Sequence, residues 1–582
     1  MIGSVADVTD GATYDVIVGG AGAAGLSAAL FAAIAGRRVL VIERTEFIGG
    51  TSAWSAATTW VPNSHHAAAV PGGADDTIEA AERFLASVVG NRSSAAVRRA
   101  FLEAAPHAIA TLERASEVKF RPYATHPDYE QEHEGATMRG RALEPLPFDG
   151  GALGRHLALI RPPIPEFLLF GGMMVDRTDI GHLLKIGKSG ASTAHAAKIL
   201  ARYGLDRIKG STRGSRLVMG NALIGRLLKS LIDRSADIVT GATITKLSSD
   251  AKGVTGVVVE GEGATRTISA RHAVVLAAGG FNRHPVRRAE MLGEPAPPYS
   301  PSAPGHTGAL QDLAIGLGAR FGEGAAENAY WAPCSVRTRA DGSTAVFPHF
   351  VLDRSKPGTV CVDQTGRRFV NESTSYHQFV RAMREQAAER PTIPCFIVTD
   401  SVAIAKYGLG MVRMGTKNLG PFLADGYLAD GRTIAELAGK LGVPADALGD
   451  TIAAMNRYAE TGIDPEFGRG TTPYHRVNGD ATHAGPNPTL GAIAAPPFYA
   501  VRLYPGDIGA ATGLVIDADA RVLGEGDRPI GRLYACGNEA QSIMGGVYPG
   551  PGITIGPAIT FAYRAMQHAL AATRETSQRI TS

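Results

Sequence analysis

Cysteine is scarce. The 582 residues hold four, Cys334, Cys361, Cys395 and Cys536, widely scattered and without a CxxC spacing. That pattern argues against a disulfide framework and a cysteine zinc site; it predicts no metal site and fits a reducing cytoplasm. Long apolar runs are also missing, and no stretch reaches the roughly 18 apolar residues that a membrane span needs. The polar, acidic start "MIGSVADVTDGATYD" does not resemble a signal peptide. Excess charge of one sign is absent too: 58 Lys and Arg face 55 Asp and Glu, a net charge of +3, with no long basic run. Nucleic acid is therefore not an expected partner. One short apolar run, "EFLLFGGMMV" (166–175), reads as a buried lid over an apolar pocket. Peripheral contact with the inner face of a membrane is its other reading.

What is present points to a folded enzyme of more than one domain. The length exceeds what one compact core supports, and 45% hydrophobic with 19% charged residues is ordinary for a globular chain. The 71 glycines have no period, which suggests many sharp turns and close approaches of backbone to ligand. The first 50 residues carry the clearest signal. "YDVIVGG" predicts a strand, "AGAAGLSAALFAAIAG" a helix and "RRVLVIER" a second strand, a β-α-β unit. At its first turn stands Gly20-Ala21-Gly22-Ala23-Ala24-Gly25. Here the first glycine makes the turn, the second lets a pyrophosphate approach, and the third packs helix on strand. Glu43, followed by Arg44, ends the second strand where an acid would accept hydrogen bonds from a ribose.

FAD, bound non-covalently, fits better than NAD. The loop "IGGTSAWSAATTWVPN" follows Glu43 directly, and its Gly50, Thr51, Ser52, Ser55, Ala56 and Ala57 suit a path along a ribityl chain and pyrophosphate. Two later strands each deliver a small turn: "ARHAVVLAAGGFN" presents Ala278 and Gly279, and "GRLYACGNEAQS" presents Gly537 and Asn538. No second GxGxxG follows a strand, so a separate NAD site is not expected, and a membrane quinone is one candidate electron acceptor. Residues of roughly 236–280 read as a β-meander returning to the flavin domain. The fold class expected is α/β, a Rossmann-type FAD-binding domain with an inserted α+β catalytic domain. Its expected parts are 1–328 and 508–582 for FAD and 329–507 for substrate.

Taken together, "GGTSAWSAATTWVPN", "HPDYEQE", "GNALIGRLL", "GRRFVNESTSYHQF", "GRLYACGN" and "YPGPGITIGPAITFAYRA" resemble the flavin-dependent 3-ketosteroid dehydrogenases. These lie within the wider fumarate reductase/succinate dehydrogenase flavoprotein group. The relatives acting on small dicarboxylates carry a His-Pro-Thr motif, where this chain reads "AENAYWAPCSV" (326–336). That region suits a flat, uncharged ligand better than fumarate or succinate. Within the family the resemblance is to the Δ1 enzymes, and it implies substrate-facing roles for Tyr129, Tyr376, Tyr548 and Gly552. Each residue alone has a plainer reading: Tyr129 as a surface aromatic, Tyr376 as a half-buried residue, Tyr548 as a turn residue packed on the sheet.

The resemblance implies a 1,2-desaturation of a 3-ketosteroid. Tyr548 O–H and the Gly552 N–H would grip the ketone oxygen as charge develops on it. Tyr376, as tyrosinate helped by Tyr129, would take the proton from C2, and the hydrogen on C1 would leave as hydride to flavin N5. A helix starting at Ile553 and continuing through Ile555 would turn its free N–H groups toward the flavin. His377, beside Tyr376, has no role in the family pattern. The chain departs from that pattern at Ser55-Ala56-Ala57, usually Ser-Gly, at "DIGAATG" (507–513), and in an added segment around 150–215. The alternatives are a desaturase of a simpler cyclic ketone, a flavin-dependent enone or alkene reductase, and a non-catalytic flavin-binding protein.

Overall fold

The computed structural model describes residues 2–580 apart from 74, 184 and 294–296. Its first sheet has nine strands, in the order Ile2–Gly3, Asp237–Val239, Val39–Ile42, Thr13–Gly19, Ala264–Leu276, Gly253–Gly261, Thr243–Asp250, with Pro529–Ala535 attached to Ala264–Leu276 and Arg521–Leu523 attached to Pro529–Ala535. The strands from Ile2–Gly3 to Ala264–Leu276 pair in parallel, and the meander that follows is antiparallel. Parallel strands covered on both faces need apolar residues throughout. Val16, Ile17, Val18, Leu40 and Val41 accordingly have no exposed surface.

The predicted helix runs over Ala23–Ile34 and packs against the long C-terminal helix Ile555–Ile580, where Phe31 meets Tyr563 edge to face at 5.1 Å. Small side chains let these helices lie close. Ala264–Leu276 joins the chain ends: it pairs with Thr13–Gly19 on one edge and with Pro529–Ala535 on the other, both in parallel.

The second sheet is antiparallel and has six strands, in the order Thr344–Pro348, Ala329–Thr338, Phe498–Ala510, Cys395–Asp400, Thr359–Val362, with Leu428–Gly431 also on Phe498–Ala510. The boundary expected at residue 507 falls inside Phe498–Ala510. The added segment folds as short 3-10 turns followed by the helices Arg177–Leu183 and Gly190–Ile208. In the run expected as a lid, Met173 and Val175 are buried against Ile199, Phe167 faces the cavity described below, and Phe170 is exposed. Among the described residues no helix is long and apolar enough to cross a membrane.

Candidate active site

One continuous cavity runs from the glycine-rich turn, past the ends of the first sheet, to the second sheet. At its first end the three motif glycines divide their work. A Cβ on Gly20 (φ +107) would stand 2.4 Å from the Ala277 carbonyl oxygen, and one on Gly25 would stand 1.9 Å from that of Gly20. These two positions are closed by packing. A Cβ on Gly22 would meet nothing nearer than Ser52 Oγ at 3.9 Å, and Gly22 lines the cavity. The open space lies where a pyrophosphate has to come close, so the turn fits FAD.

Glu43 lines the same end and is already engaged. Its Oε2 accepts from Ala21 N at 2.9 Å, and its Oε1 accepts from Thr45 N at 2.9 Å and Thr45 Oγ1 at 2.7 Å. The acid expected to meet a ribose thus also clamps the glycine turn to the second strand. Arg44, Ala21, Ala23, Ala24, Gly50, Thr51, Ser52, Ser55, Ala56, Ala57, Ala278, Gly279, Gly537, Asn538 and Ile555 all line the cavity. Gly25 does not, in keeping with its packing role.

Ile553 departs from expectation. It is buried and does not line the cavity, and the helix begins at Ile555 rather than Ile553. The cause is Gly552, whose φ of +88 cannot continue a helix; residues 551–554 form turns, and the first helical bond is Gly556 N to Gly552 O at 3.0 Å.

The sequence reading missed two side chains at this end. His306 touches Thr51 Oγ1 at 3.4 Å and fills the space beside Gly279, where a Cβ would lie 2.6 Å from His306 Nε2. Burial pulls its pKa down to about 4, so the ring is neutral. Glu539, fully buried, accepts from Gly280 N at 3.0 Å and holds the Ala278–Gly280 turn; burial pushes its pKa up to about 7. Both residues pair with partners more than 200 positions away, which no local pattern reveals.

At the other end the structure brings together the four residues for which the resemblance implies substrate-facing roles. The Tyr129, Tyr376 and Tyr548 rings are mutual neighbours: Tyr129 lies 5.7 Å from Tyr376 and stacks on Tyr548 at 5.8 Å, and Tyr376 meets Tyr548 edge to face at 5.1 Å. Tyr129 OH donates to Tyr376 OH across 3.4 Å. Tyr376 is the first residue of the helix Tyr376–Gln386, capped by Ser375, whose Oγ accepts from Gln378 N. A helix N-terminus favours negative charge on that phenol.

Burial acts in the opposite direction. It drives the pKa of Tyr376 and of Tyr129 well above the ordinary phenol value, and that of Tyr548 up as well, with neighbouring phenols adding to the first two. The expectation that Tyr129 makes Tyr376 a ready tyrosinate is thereby corrected. In the cavity as it stands, all three are neutral phenols.

Gly552 is fixed by its surroundings. Besides its positive φ, a Cβ there would stand 2.4 Å from the Thr58 carbonyl oxygen. The glycine is therefore required by the Thr58–Thr59 backbone, not only by an approaching ligand. Its N–H makes no hydrogen bond among the described residues and is available at the cavity wall.

Beneath Tyr129 lies a buried charge network that sequence reasoning did not find. Asp128 accepts from Trp60 Nε1 and from Arg141, each at 2.8 Å, and Arg141 pairs with Asp76 at 2.7 Å. Tyr129 N donates to Pro549 O at 2.7 Å, tying this loop to the one that carries Tyr548. Tyr330 and Tyr474 also line the cavity, and the Tyr474 hydroxyl has no hydrogen-bond partner among the described residues. Trp331 is turned away and bonded to Glu327, and His377 accepts from Trp331 N at 3.2 Å as a buried, neutral ring. Among the described residues lining the cavity, Glu43 is the single carboxylate.

A model of the FAD binding domain family matches residues 15–555. The 3-oxosteroid 1-dehydrogenase of Mycolicibacterium smegmatis is 33% identical, over 95% of this chain and 97% of its own. This chain is an FAD flavoprotein of the 3-ketosteroid Δ1-dehydrogenase family. The 4-oxocyclohex-2-ene-1-carboxylate 5-dehydrogenase of Sinomonas cyclohexanicum is 36% identical, over 95% of this chain and 92% of its own. Among solved structures, the 3-ketosteroid Δ1-dehydrogenase of Sterolibacterium denitrificans in complex with 1,4-androstadiene-3,17-dione superposes with a TM-score of 0.89 at 34% identity, covering 96% of this chain and all of that one. The chain is thus an FAD-dependent oxidoreductase acting on CH–CH donors. The cavity that has the glycine-rich turn at one end reaches the three phenols at the other.

Proposed function

We propose that this flavoprotein desaturates a ring ketone next to its carbonyl, with a 3-ketosteroid 1,2-dehydrogenation as the first reading. The observation that carries it is the meeting of three phenols and a backbone N–H, from segments far apart in sequence, at one end of the cavity. Tyr548 O–H and Gly552 N–H donate to the ketone oxygen, so charge developing there meets fixed donors. Tyr376, in its phenolate form, removes the α-proton and is left as a neutral phenol beside Tyr129, whose hydroxyl donates to it. When bound, FAD accepts the hydride. The aromatic walls hold the ring in place and exclude water. Residues 1–328 and 508–582 form the cofactor half and 329–507 the substrate half in this proposal, and a quinone takes the electrons.

A second reading, a small-ring ketone as substrate, is favoured by the Sinomonas relative, whose name specifies a cyclohexene carboxylate. The test is anaerobic mixing of the flavin-loaded protein with 4-androstene-3,17-dione and, separately, with cyclohexanone, following flavin absorbance. Bleaching by the steroid supports the first reading and bleaching by cyclohexanone alone supports the second. If neither ketone bleaches the flavin while a dye-reduced protein is reoxidised by an enone, the enzyme is a reductase instead.

A further inference from the structure

Tyr129 stands in an irregular loop, and Tyr376 opens the helix Tyr376–Gln386. Among the described residues no backbone hydrogen bond joins that loop to the helix or to its cap. The two hydroxyl oxygens nevertheless lie 3.4 Å apart. A displacement of about 1 Å in either element would part them, so their spacing has to be fixed by side chains.

The helix start shows which. Ser375-Tyr376-His377-Gln378 has the Ser-x-x-Gln spacing of a reciprocal cap, in which the serine oxygen takes the N–H of the third helical residue and the glutamine side chain returns to the serine N–H. Half of that cap is made: Ser375 Oγ accepts from Gln378 N at 3.3 Å. The return bond is not. Ser375 is buried, and its N–H makes no hydrogen bond among the described residues. The Gln378 side chain points instead to the Tyr129 loop. Its Nε2 donates to Glu130 Oε1 at 2.9 Å, across 248 positions, and its Oε1 accepts from Arg381 Nη1 at 3.1 Å. Both ends of the amide are thereby defined, nitrogen toward the anion and oxygen toward the cation.

Glu130 directly follows Tyr129, and Gln378 comes two residues after Tyr376. The Glu130 carboxylate accepts from no other side chain among the described residues, and Arg381 pairs with Glu327 at 3.4 Å and Glu385 at 2.8 Å rather than with it. A helix that forgoes a local bond at a buried position for a distant one is answering a tertiary demand. Here the distant bond joins the carriers of two phenols. Tyr129 N already ties its loop to Pro549 O beside Tyr548, so the bond to Gln378 closes the remaining side of the tyrosine cluster.

We propose that Glu130 and Gln378 are positioning residues: their hydrogen bond clamps the Tyr129 loop to the Tyr376 helix and sets the spacing at which Tyr129 donates to Tyr376. This rests on the ring-ketone reading above and adds two residues to its machinery. Neither residue lines the cavity, so the clamp acts through the phenols and not on the substrate.

The test is a cycle of E130Q, Q378E and the double variant E130Q/Q378E, with Q378L as the plain break. In Q378E two carboxylates oppose each other. In the double variant amide and carboxylate have changed places, and the new acid still meets Arg381. Anaerobic flavin reduction is followed against the concentration of 4-androstene-3,17-dione and, separately, of cyclohexanone. Q378L and Q378E are expected to lower the limiting rate by about 10-fold to 100-fold, with half-saturation within about twofold of the wild type and FAD retained. E130Q keeps an acceptor oxygen but loses its charge, and should lower the rate by about threefold. The double variant should return to within about threefold of the wild type, well above the product of the two single losses. Limiting rates in Q378L and Q378E within about twofold of the wild type, a loss confined to half-saturation, or a double variant that shows the product of the single losses overturns the clamp. If no ketone bleaches the wild-type flavin, the ring-ketone reading falls. The clamp is then read from 3-fluorotyrosine in place of Tyr376: its fluorine resonance should shift in Q378E and return in the double variant, and an unmoved resonance overturns the clamp.

Discussion

Tyr376 sits between two opposed influences, and its behaviour with pH separates them. The helix N-terminus favours its phenolate, while burial and the two neighbouring phenols favour the neutral form and dominate. A base works only when deprotonated. With a folded-state pKa raised above the ordinary phenol value, the competent fraction grows about tenfold per pH unit below that pKa. Flavin reduction by a productive ketone should therefore climb about tenfold per unit between pH 7 and 9 without levelling, and Tyr376→Phe should lose both the slope and nearly all of the rate while keeping its FAD. A plateau below pH 9 in the wild type would remove Tyr376 as the base.

At this scale the sequence was informative where chemistry and conformation coincide. Gly20, Gly22 and Gly25 were legible because each has a distinct steric duty, and Tyr129, Tyr376 and Tyr548 because the motifs around them resemble a family pattern. His306 and Glu539 were not, since each acts on a turn more than 200 positions away.

Among the elements, the loop that carries Tyr129 is held by a buried ion-pair network, and a backbone hydrogen bond ties it to the loop that carries Tyr548. Arg141 satisfies both Asp128 and Asp76, and all three side chains are buried. Removing the cation leaves two buried carboxylates facing one another. Arg141→Met should cost about 3–5 kcal/mol in urea unfolding, whereas Trp60→Phe, which removes one hydrogen bond to Asp128, should cost about 1–3 kcal/mol. An Arg141→Met protein within 1 kcal/mol of the wild type would show that the network does not support these loops.

The network was invisible in the sequence because its members stand 13 and 65 residues apart, without a period. The helix start expected at Ile553 failed for a local reason: Pro551 and Gly552 read as a helix entry, yet the left-handed glycine postpones the helix to Ile555. The β-α-β unit and the meander were legible because their apolar runs are bounded by glycines. The order of the two sheets was not, since pairing between distant strands leaves no trace in local composition.

For the whole molecule, the strand Ala264–Leu276 has its partners at opposite ends of the chain, Thr13–Gly19 and Pro529–Ala535. The turn Gly537–Asn538 and the residues before the last helix then close the flavin side of the cavity. A ribosome making this protein delivers the dinucleotide turn first and the opposing wall last, with the entire second sheet in between. The growing chain consequently has no complete berth for its cofactor until synthesis is nearly over. Loading with FAD is thus expected to follow synthesis of the C-terminal segment, together with the final sheet closure. Stalled nascent chains ending before Pro529 should retain no flavin fluorescence after gel filtration, while chains released at full length should acquire it. Retention of flavin by the shorter chains would show that the N-terminal unit captures the cofactor by itself.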